Sequence, residues 1–516
     1  MQSQLAGRKE WIALAVLCLP MLIVSMDVSV LFYAVPFIAA DLQPTASQML
    51  WTLDIYAFVL AGLLISMGAV GDRIGRRRLL LIGATAFGAA SAVAAYAHTA
   101  EVLIGARALL GIAGATLMPS TLALIRNIFH DEAQRGKAIA TWSAVLTGGV
   151  TLGPVVSGIL LEHFWWGSVF LINLPFMVML LIAGPMLLPE FRSETRPRFD
   201  ALSAVLALAA ILPVIYCIKS IATEGTSREL LAYGAAGVLA GIVFVVRQLR
   251  SASPLVDLRM LANGAVGGGV TVNVIAMFVM MGSALVMTQY LQSVLGLSPL
   301  RAALWSLAPA VVVGGAAPVA VALSGKLGNA AVMSGGMIVS AGGFVMLSRA
   351  AADSALWYPL SAAGLISGGI VAILSIVSTV IMGAAPPERA GSVAGLLETS
   401  SELGGALGLA LLGSLLAKVY RSEMADTLPQ GVPAEAAHAA EETLAGAQVV
   451  AQSLPSGIAT IVRHAAESAY LIGMRWTCLA AAVVLAATAV VNLVVLPKGV
   501  PAPVAEPVEA PEPVAA

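Results

Sequence analysis

The sequence predicts an all-α membrane protein that crosses the bilayer fourteen times. Of its 516 residues, 59% are hydrophobic and only 11% are charged, whereas a soluble domain carries about 25% charged residues. Tracts of roughly twenty apolar residues recur along the chain, and each is long enough to span a bilayer core of about 30 Å. The net charge of −1 gives no reason to expect a nucleic-acid partner.

Hydropathy places the fourteen predicted segments in a row, and the Gly-rich tract near residue 370 leaves room for a break. The segments are 11–36, 50–71, 79–98, 102–127, 138–162, 166–188, 200–221, 230–249, 264–292, 301–324, 328–349, 354–383, 392–417 and 470–496. Cytoplasmic loops accumulate Lys and Arg. An even number of segments with both termini in the cytoplasm puts the cluster Arg73, Arg76, Arg77 and Arg78 inside, and leaves few basic residues outside, Lys219 among them.

Within these segments we single out five charged residues, namely Asp27, Asp54, Arg107, Glu398 and Glu402. A charge near mid-membrane costs about 2.5–3.5 kcal/mol on insertion scales, so each is a candidate functional residue. The first three lie in the outer half and could form one electrostatic cluster, although Arg107 could also serve only to pair helices and Asp54 could be a solvated helix-end residue. The two glutamates share a helix face, and their mutual repulsion favours holding a proton.

Nothing in the sequence indicates an enzyme, a metal site or a bound cofactor. The cysteines and histidines lack disulfide or metal-ligand spacing, and no nucleotide-binding glycine loop is present. They are Cys18, Cys217, Cys478, His98, His130, His163, His438 and His464. The expected energy source is therefore an ion gradient.

Three motifs resemble those of the major facilitator superfamily. The stretch Gly68–Arg78 resembles motif A, through Gly68, Gly71, Asp72, Arg73, Gly75 and Arg76. Leu103, Arg107, Gly111 and Gly114 are similar to motif B, whose arginine is linked to proton coupling in that superfamily. Gly149, Gly153, Pro154 and Gly158 are similar to the antiporter motif C, in which glycines permit tight helix packing and proline lets the helix bend.

The closer resemblance is to the fourteen-helix drug:proton antiporters, specifically the QacA/SmvA-type exporters of quaternary ammonium compounds. It rests on Ser25–Val30, Leu50–Tyr56, His163–Pro175 and Glu398–Gly404. The resemblance implies proton-driven export of lipophilic organic cations (quaternary ammonium antiseptics, cationic dyes, biguanides) by a monomer in a bacterial cytoplasmic membrane. It also implies that Asp27 and Asp54 bind cation or proton and that Glu398 and Glu402 form an acidic site.

The resemblance further implies two six-helix bundles with two helices inserted between them. This divides the chain into a first bundle (1–188), the inserted helices (189–262) and second-bundle helices (263–417). A long extracytoplasmic loop (418–469, helical in composition at Pro433–Gln452), a last helix (470–496) and a disordered cytoplasmic tail (497–516) follow.

Two matters stay open at this point. Several members of the group carry an acidic residue in the segment that corresponds to 301–324, whereas this chain has none there, so export of dications stays open. The alternative cargo, a metabolite or a non-cationic drug, also stays open. Aromatic and Met side chains suit a cation cavity, but each candidate could equally be a packing residue. These candidates are Tyr56, Trp142, Phe278, Met281 and Tyr290.

Overall fold

The computed structural model describes residues 6–192, 200–251, 258–383, 390–429 and 432–495, which form helices and no strand. The helices are α1 (Arg8–Leu42), α2 (Ala46–Ile74), α3 (Arg76–Ala95), α4 (Ala100–Ile128), α5 (Glu132–His163), α6 (Ser168–Leu171), α7 (Asn173–Leu187), α8 (Ala201–Glu224), α9 (Arg228–Arg250), α10 (Gly264–Gln289), α11 (Pro299–Trp305), α12 (Ala310–Leu327), α13 (Asn329–Leu347), α14 (Trp357–Gly383), α15 (Ala390–Thr427), α16 (Ala434–Glu442), α17 (Leu444–Ser453) and α18 (Ser456–Val495).

These helices provide fourteen membrane spans in the described ranges, which confirms the predicted number. Two spans are built from consecutive helices, α6 with α7 and α11 with α12, while α16 and α17 are too short to cross a membrane. The Gly-rich tract at 354–383 forms one unbroken helix, α14. The predicted tail 497–516 lies outside the described residues.

The spans form two six-helix halves with two helices inserted between them. In the first half, α1 packs against α5 and α7, and α2 packs against α4. In the second, α10 packs against α14 and α15, and α13 packs against α14 and α18. The inserted helices α8 and α9 pack on each other, and α8 also contacts α2 and α15, so it lies along the seam between the halves.

The two ends of this bundle carry different structures. At the arginine end, where α2 meets α3, the first turn of α1 is held by Trp11 against Phe129, with ring centroids 5.1 Å apart. At the opposite end, which we call the hairpin end, α16 and α17 pack on each other. The Glu442 carboxylate accepts the amide hydrogen of Ala46 at 2.7 Å and pairs with Arg421 at 3.1 Å. It therefore joins the α16–α17 hairpin to the start of α2.

The predicted boundaries around this hairpin are wrong. The helix predicted to end at residue 417 runs to Thr427, and the helix predicted to begin at 470 begins at Ser456. Hydropathy detects only the apolar part of such helices, because residues such as Arg421 and Glu423 continue α15 beyond it. The segment predicted to be helical between Pro433 and Gln452 contains α16 and α17.

The segment predicted as one helix at 301–324 is broken in the structure. Residues 306–309 form a turn between α11 and α12. Pro309 has no amide hydrogen, and in a regular helix its ring would clash with the carbonyl of Trp305. That carbonyl instead accepts the amide of Ala308 at 3.0 Å, and the Ser306 hydroxyl donates to the Ala302 carbonyl at 2.8 Å.

Candidate functional site

A cavity of about 440 Å³ lies between the two halves and is lined by both. This volume is in the range of small-molecule binding sites. Its walls come from α1, α2, α4 and α5 on one side, and from α10, the turn between α11 and α12, α13, α14 and α15 on the other. Many lining side chains are flexible and polarizable thioethers, which suit varied apolar ligands: Met118, Met277, Met280, Met281 and Met287.

Glu398 and Glu402 are the acidic residues of this cavity. They lie one turn apart on α15, and among the described residues neither forms an ion pair. The amide of Asn273 donates to the hydroxyls of Ser400 and Ser401, both at 2.8 Å, and so fixes the intervening turn against α10. No Lys or Arg lines the cavity in the part of the chain that the structure describes. The cavity is thus negatively charged when a glutamate is ionised.

Asp27 lies outside the cavity wall and is paired with Arg107. Both side chains are about 1% exposed. Arg107 also donates from Nε to the Thr52 carbonyl at 3.2 Å, and its Cζ lies 4.7 Å from the centre of the Tyr56 ring. On the other side, the Asn173 amide lies 3.5 Å from Oδ1 of Asp27. In this arrangement the Asp27 carboxylate is bound by the Arg107 guanidinium and does not line the cavity.

Asp54 is also removed from the cavity, and its partner was missed by the sequence analysis. Lys219 of α8 places Nζ 2.8 Å from Oδ1 and 2.7 Å from Oδ2 of Asp54, and both side chains are fully buried. The same ammonium lies 4.0 Å from the Trp51 ring centre. The expectation that Lys219 is an outer-loop residue is therefore wrong. The sequence did contain a signal for this pair: Lys219 lies just inside an apolar segment, and a buried acid such as Asp54 requires a basic partner.

The predicted cluster of Asp27, Asp54 and Arg107 is divided into two ion pairs. Arg107 contacts Asp27 directly, whereas Asp54 is bound by Lys219. Arg107 still touches the α2 main chain at Thr52, two residues from Asp54. Asp27, Asp54 and Arg107 all lie in the first half, and Lys219 connects them to the inserted helix α8.

The five candidate substrate-contacting side chains divide in the same way. Tyr56 and Met281 line the cavity. The other three are not among its lining residues. Trp142 donates to the Thr121 hydroxyl at 3.2 Å, Tyr290 is buried and donates to the Ala351 carbonyl at 2.7 Å, and Phe278 is half-buried against the packed core.

The residues of motif A form the turn between α2 and α3 at the arginine end. Gly75 has a φ of +115°, which side chains rarely adopt, so the tight turn requires glycine here. Asp72 pairs with Arg76 at 2.6 Å across this turn. Gly71 lies beneath the Arg76 side chain, which a Cβ would approach to 3.0 Å.

Other motif A residues face outward or toward neighbouring elements. Gly68 lies on α2 facing α4, where Pro119 is its nearest neighbour at ordinary contact distance, and Arg73 is exposed. Arg77 donates to the Leu188 carbonyl at 3.0 Å and lies 3.7 Å from Glu190. The motif thereby connects α2 and α3 to the end of α7.

Motif C brings α5 close to two other helices. Cβ atoms on Gly149 and Gly153 would lie 2.0 Å from the hydroxyls of Ser25 and Ser29 on α1, so a larger residue at either position would displace these side chains. Pro154 lines the cavity. A Cβ on Gly158 would lie 2.6 Å from the Cα of Leu300, at the contact between α5 and α11.

Comparisons with known proteins agree with this architecture. Residues 17–409 match the Major Facilitator Superfamily. The chain is 40% identical over 486 residues to Multidrug efflux pump LfrA of Mycolicibacterium smegmatis, covering 94% of this chain and 96% of LfrA. It is 36% identical over 447 residues to Methyl viologen resistance protein SmvA of Salmonella typhimurium, covering 86% of this chain and 90% of SmvA.

A solved structure shares the fold at low sequence identity. It is a bacterial homologue of the human lysosomal transporter Spinster, with a TM-score of 0.62 and 15% identity over 95% of this chain and 98% of that chain. The resemblance to SmvA-type proteins is thus confirmed, and the chain is a transporter and not an enzyme. Its family match and its fold together make it a member of the Major Facilitator Superfamily.

Proposed function

We propose that this transporter exports lipophilic organic cations in exchange for protons. The observation that carries the proposal is the central cavity, where Glu398 and Glu402 are the ionisable acids among thioether and aromatic side chains. An anion site would instead present Arg or Lys to the cargo. The names of LfrA and SmvA, a multidrug efflux pump and a methyl viologen resistance protein, support the same cargo class.

Export follows if a proton and a cation compete for the same carboxylates. With the cavity open to the cytoplasm, an ionised glutamate attracts the cation, and thioethers and Tyr56 contact its apolar and cationic parts. With the cavity open to the outside, a proton replaces the cation and neutralises the site. Exchange of one proton for one monovalent cation moves no net charge. Exchange of two protons would also use the membrane potential, worth about 2.3 kcal/mol per charge at 100 mV.

In this proposal the arginine end faces the cytoplasm of a bacterium, since Arg73, Arg76, Arg77 and Arg78 follow the positive-inside rule. Three hydrogen bonds join the two halves near the other end: Tyr33 to Ser306 at 2.9 Å, Ser298 to Glu162 at 2.6 Å and Ala46 to Glu442 at 2.7 Å. These bonds favour a form that is closed on the outside.

Glu402→Gln tests the cargo assignment. We expect ethidium efflux from loaded cells to be abolished by a protonophore in the wild type and to fall at least about tenfold in Glu402→Gln, because a charge-assisted contact contributes about 1.5–3 kcal/mol. Glu132→Gln, at an exposed acid outside the cavity, is the matched control and should export normally. A wild-type efflux rate that the protonophore does not change, or normal export by Glu402→Gln, would contradict the proposal.

Gly158→Ala tests the proposed closure at the hairpin end. The added Cβ meets the main chain of Leu300, which cannot yield as a side chain would. Overpacking costs about 1–3 kcal/mol, so we expect cross-linking of cysteines at Glu162 and Ser298 by a short bifunctional thiol reagent to fall about fivefold or more. Gly148→Ala is the control, because its Cβ would meet nothing within 4 Å. Equal cross-linking in both variants would show that this contact does not govern closure.

A further inference from the structure

The cavity has a second polar region that the proposed acidic site does not use. Tyr33 of α1, Thr288 of α10 and Ser306 at the break between α11 and α12 line its wall near the hairpin end. We call these three residues the hydroxyl pole. Ser306 lies in the turn at 306–309 between α11 and α12, and Pro309 of the same turn is also a lining residue.

The hydrogen bonds of the hydroxyl pole determine what it offers a ligand. The Tyr33 hydroxyl donates to the Ser306 oxygen at 2.9 Å, and the Ser306 hydroxyl donates to the Ala302 carbonyl at 2.8 Å. The Thr288 hydroxyl also bonds to Tyr33, and it is the donor because the Tyr33 hydrogen is already used. All three hydrogens are therefore used within the protein, and the oxygens offer their remaining lone pairs to the cavity. A neutral group that only accepts hydrogen bonds recognises N–H or O–H donors. It forms no hydrogen bond with a quaternary nitrogen, which has no hydrogen.

The hydroxyl pole lies at a distance from the acids that one elongated molecule can span. Asn273 bonds to Ser400 and Ser401, between the two glutamates, so the acids are level with that part of α10. From Asn273 to Thr288 the helix rises about 22 Å at 1.5 Å per residue. The wall between these levels is mainly apolar and includes Met281 and Met287, while the hydroxyl of Ser283, also in this wall, donates to the Met280 carbonyl at 2.8 Å.

We propose that the hydroxyl pole is a specificity subsite that selects elongated cations bearing an N–H donor far from the charge bound by Glu398 and Glu402. The inference rests on the proposed cation export and adds a preference within that cargo class. Long-chain cations that carry an amide or amine N–H at the end remote from the charge fit both poles. Cations without any donor fit only the acidic one.

The experiment measures binding of two matched cations to the purified full-length protein by quenching of its tryptophan fluorescence. Both carry a trimethylammonium group at one end of the same long polymethylene chain. One chain ends in a primary amide, and the other ends in the N,N-dimethyl amide, which has no N–H. We expect the wild type to bind the primary amide about threefold to tenfold more tightly, as one or two neutral hydrogen bonds allow. Tyr33→Phe should remove most of this difference by weakening binding of the primary amide alone, with the affinity of the other cation changed less than about twofold.

Ser306→Ala separates recognition from closure of the cavity. It also breaks the bond between Tyr33 and Ser306 but keeps the Tyr33 oxygen, so much of the preference for the primary amide should remain. Equal wild-type affinities for the two cations would overturn this inference and leave cation export standing. A Tyr33→Phe variant that weakens binding of both cations equally would also overturn it, by assigning Tyr33 to closure only. Failure of the wild type to bind either cation would contradict the proposed export itself.

Discussion

Asp27→Asn is expected to abolish proton-coupled export and, at the same time, to destabilise the protein. The substitution leaves the Arg107 guanidinium buried at about 1% exposure without its carboxylate. Breaking a buried ion pair by removing one partner costs about 3–5 kcal/mol. The loss should appear as a lower apparent melting temperature in detergent, measured by fluorescence-detected size exclusion, together with the absence of protonophore-sensitive ethidium efflux.

A double variant distinguishes the two consequences. Asp27→Asn with Arg107→Met removes both charges and keeps a side chain of similar length, so stability should recover to near the wild-type value. Export should remain absent if Asp27 carries a proton during the cycle, because neither replacement can titrate. A double variant that exports normally would show that the pair only holds α1 and α4 together.

Asp27 is placed so that its ionisation could be communicated to the cavity through one side chain. Arg107 connects it to Tyr56, whose ring lies 4.7 Å from the guanidinium and whose residue lines the cavity. Arg107 already contacts Tyr56 and the Thr52 carbonyl while it is paired with Asp27. A role in coupling without contact to the cargo therefore suits the geometry better than direct cation binding does.

The number of spans was predictable because it depends only on local composition. Each tract of about twenty apolar residues must cross the bilayer, and this property survives any arrangement of the helices. That Glu398 and Glu402 lie on one face of a helix was predictable for a similar reason, since residues four apart share one side of a helix. Both predictions depend only on the sequence of a single segment.

The break at 306–309 was not predictable from Pro309 alone. Pro119 and Pro154 lie inside membrane helices that continue without interruption. Neighbouring helices and hydroxyl groups decide whether a proline kinks a membrane helix or interrupts it. Here Tyr33 of α1, in the other half, bonds to Ser306 in the break, and such a partner is visible only in three dimensions.

The pairing of the buried charges was not predictable for the same reason. Sequence distance does not tell whether Arg107 reaches Asp27 or Asp54, because that depends on how α4 is rotated. Lys219 was counted among the outside basic residues although segment 200–221 contains it, and in the structure it pairs with Asp54 of α2. Helix rotation also explains why Trp142 and Tyr290 lie away from the cavity while Tyr56 lines it.

Lys219→Met is the second substitution with a large expected effect. It leaves Asp54 fully buried without its ammonium partner and removes the cation held 4.0 Å from the Trp51 ring. We expect a loss of about 3–5 kcal/mol in stability, measured as a lower melting temperature in detergent and a lower yield in the membrane. Arg247→Gln is the control, because Arg247 pairs with Asp200 while 41% exposed, and such pairs contribute about 0–1 kcal/mol.

The double variant Asp54→Asn with Lys219→Met tests the function of this pair. Lys219 belongs to an inserted helix that contacts both α2 and α15, so the pair fixes α8 to the first half at the seam where the halves meet. We expect the double variant to regain stability and to export ethidium at close to the wild-type rate, since neither side chain lines the cavity. If the double variant is stable but does not export, Asp54 takes part in proton or cation transfer, and the inserted helices act in transport through Lys219.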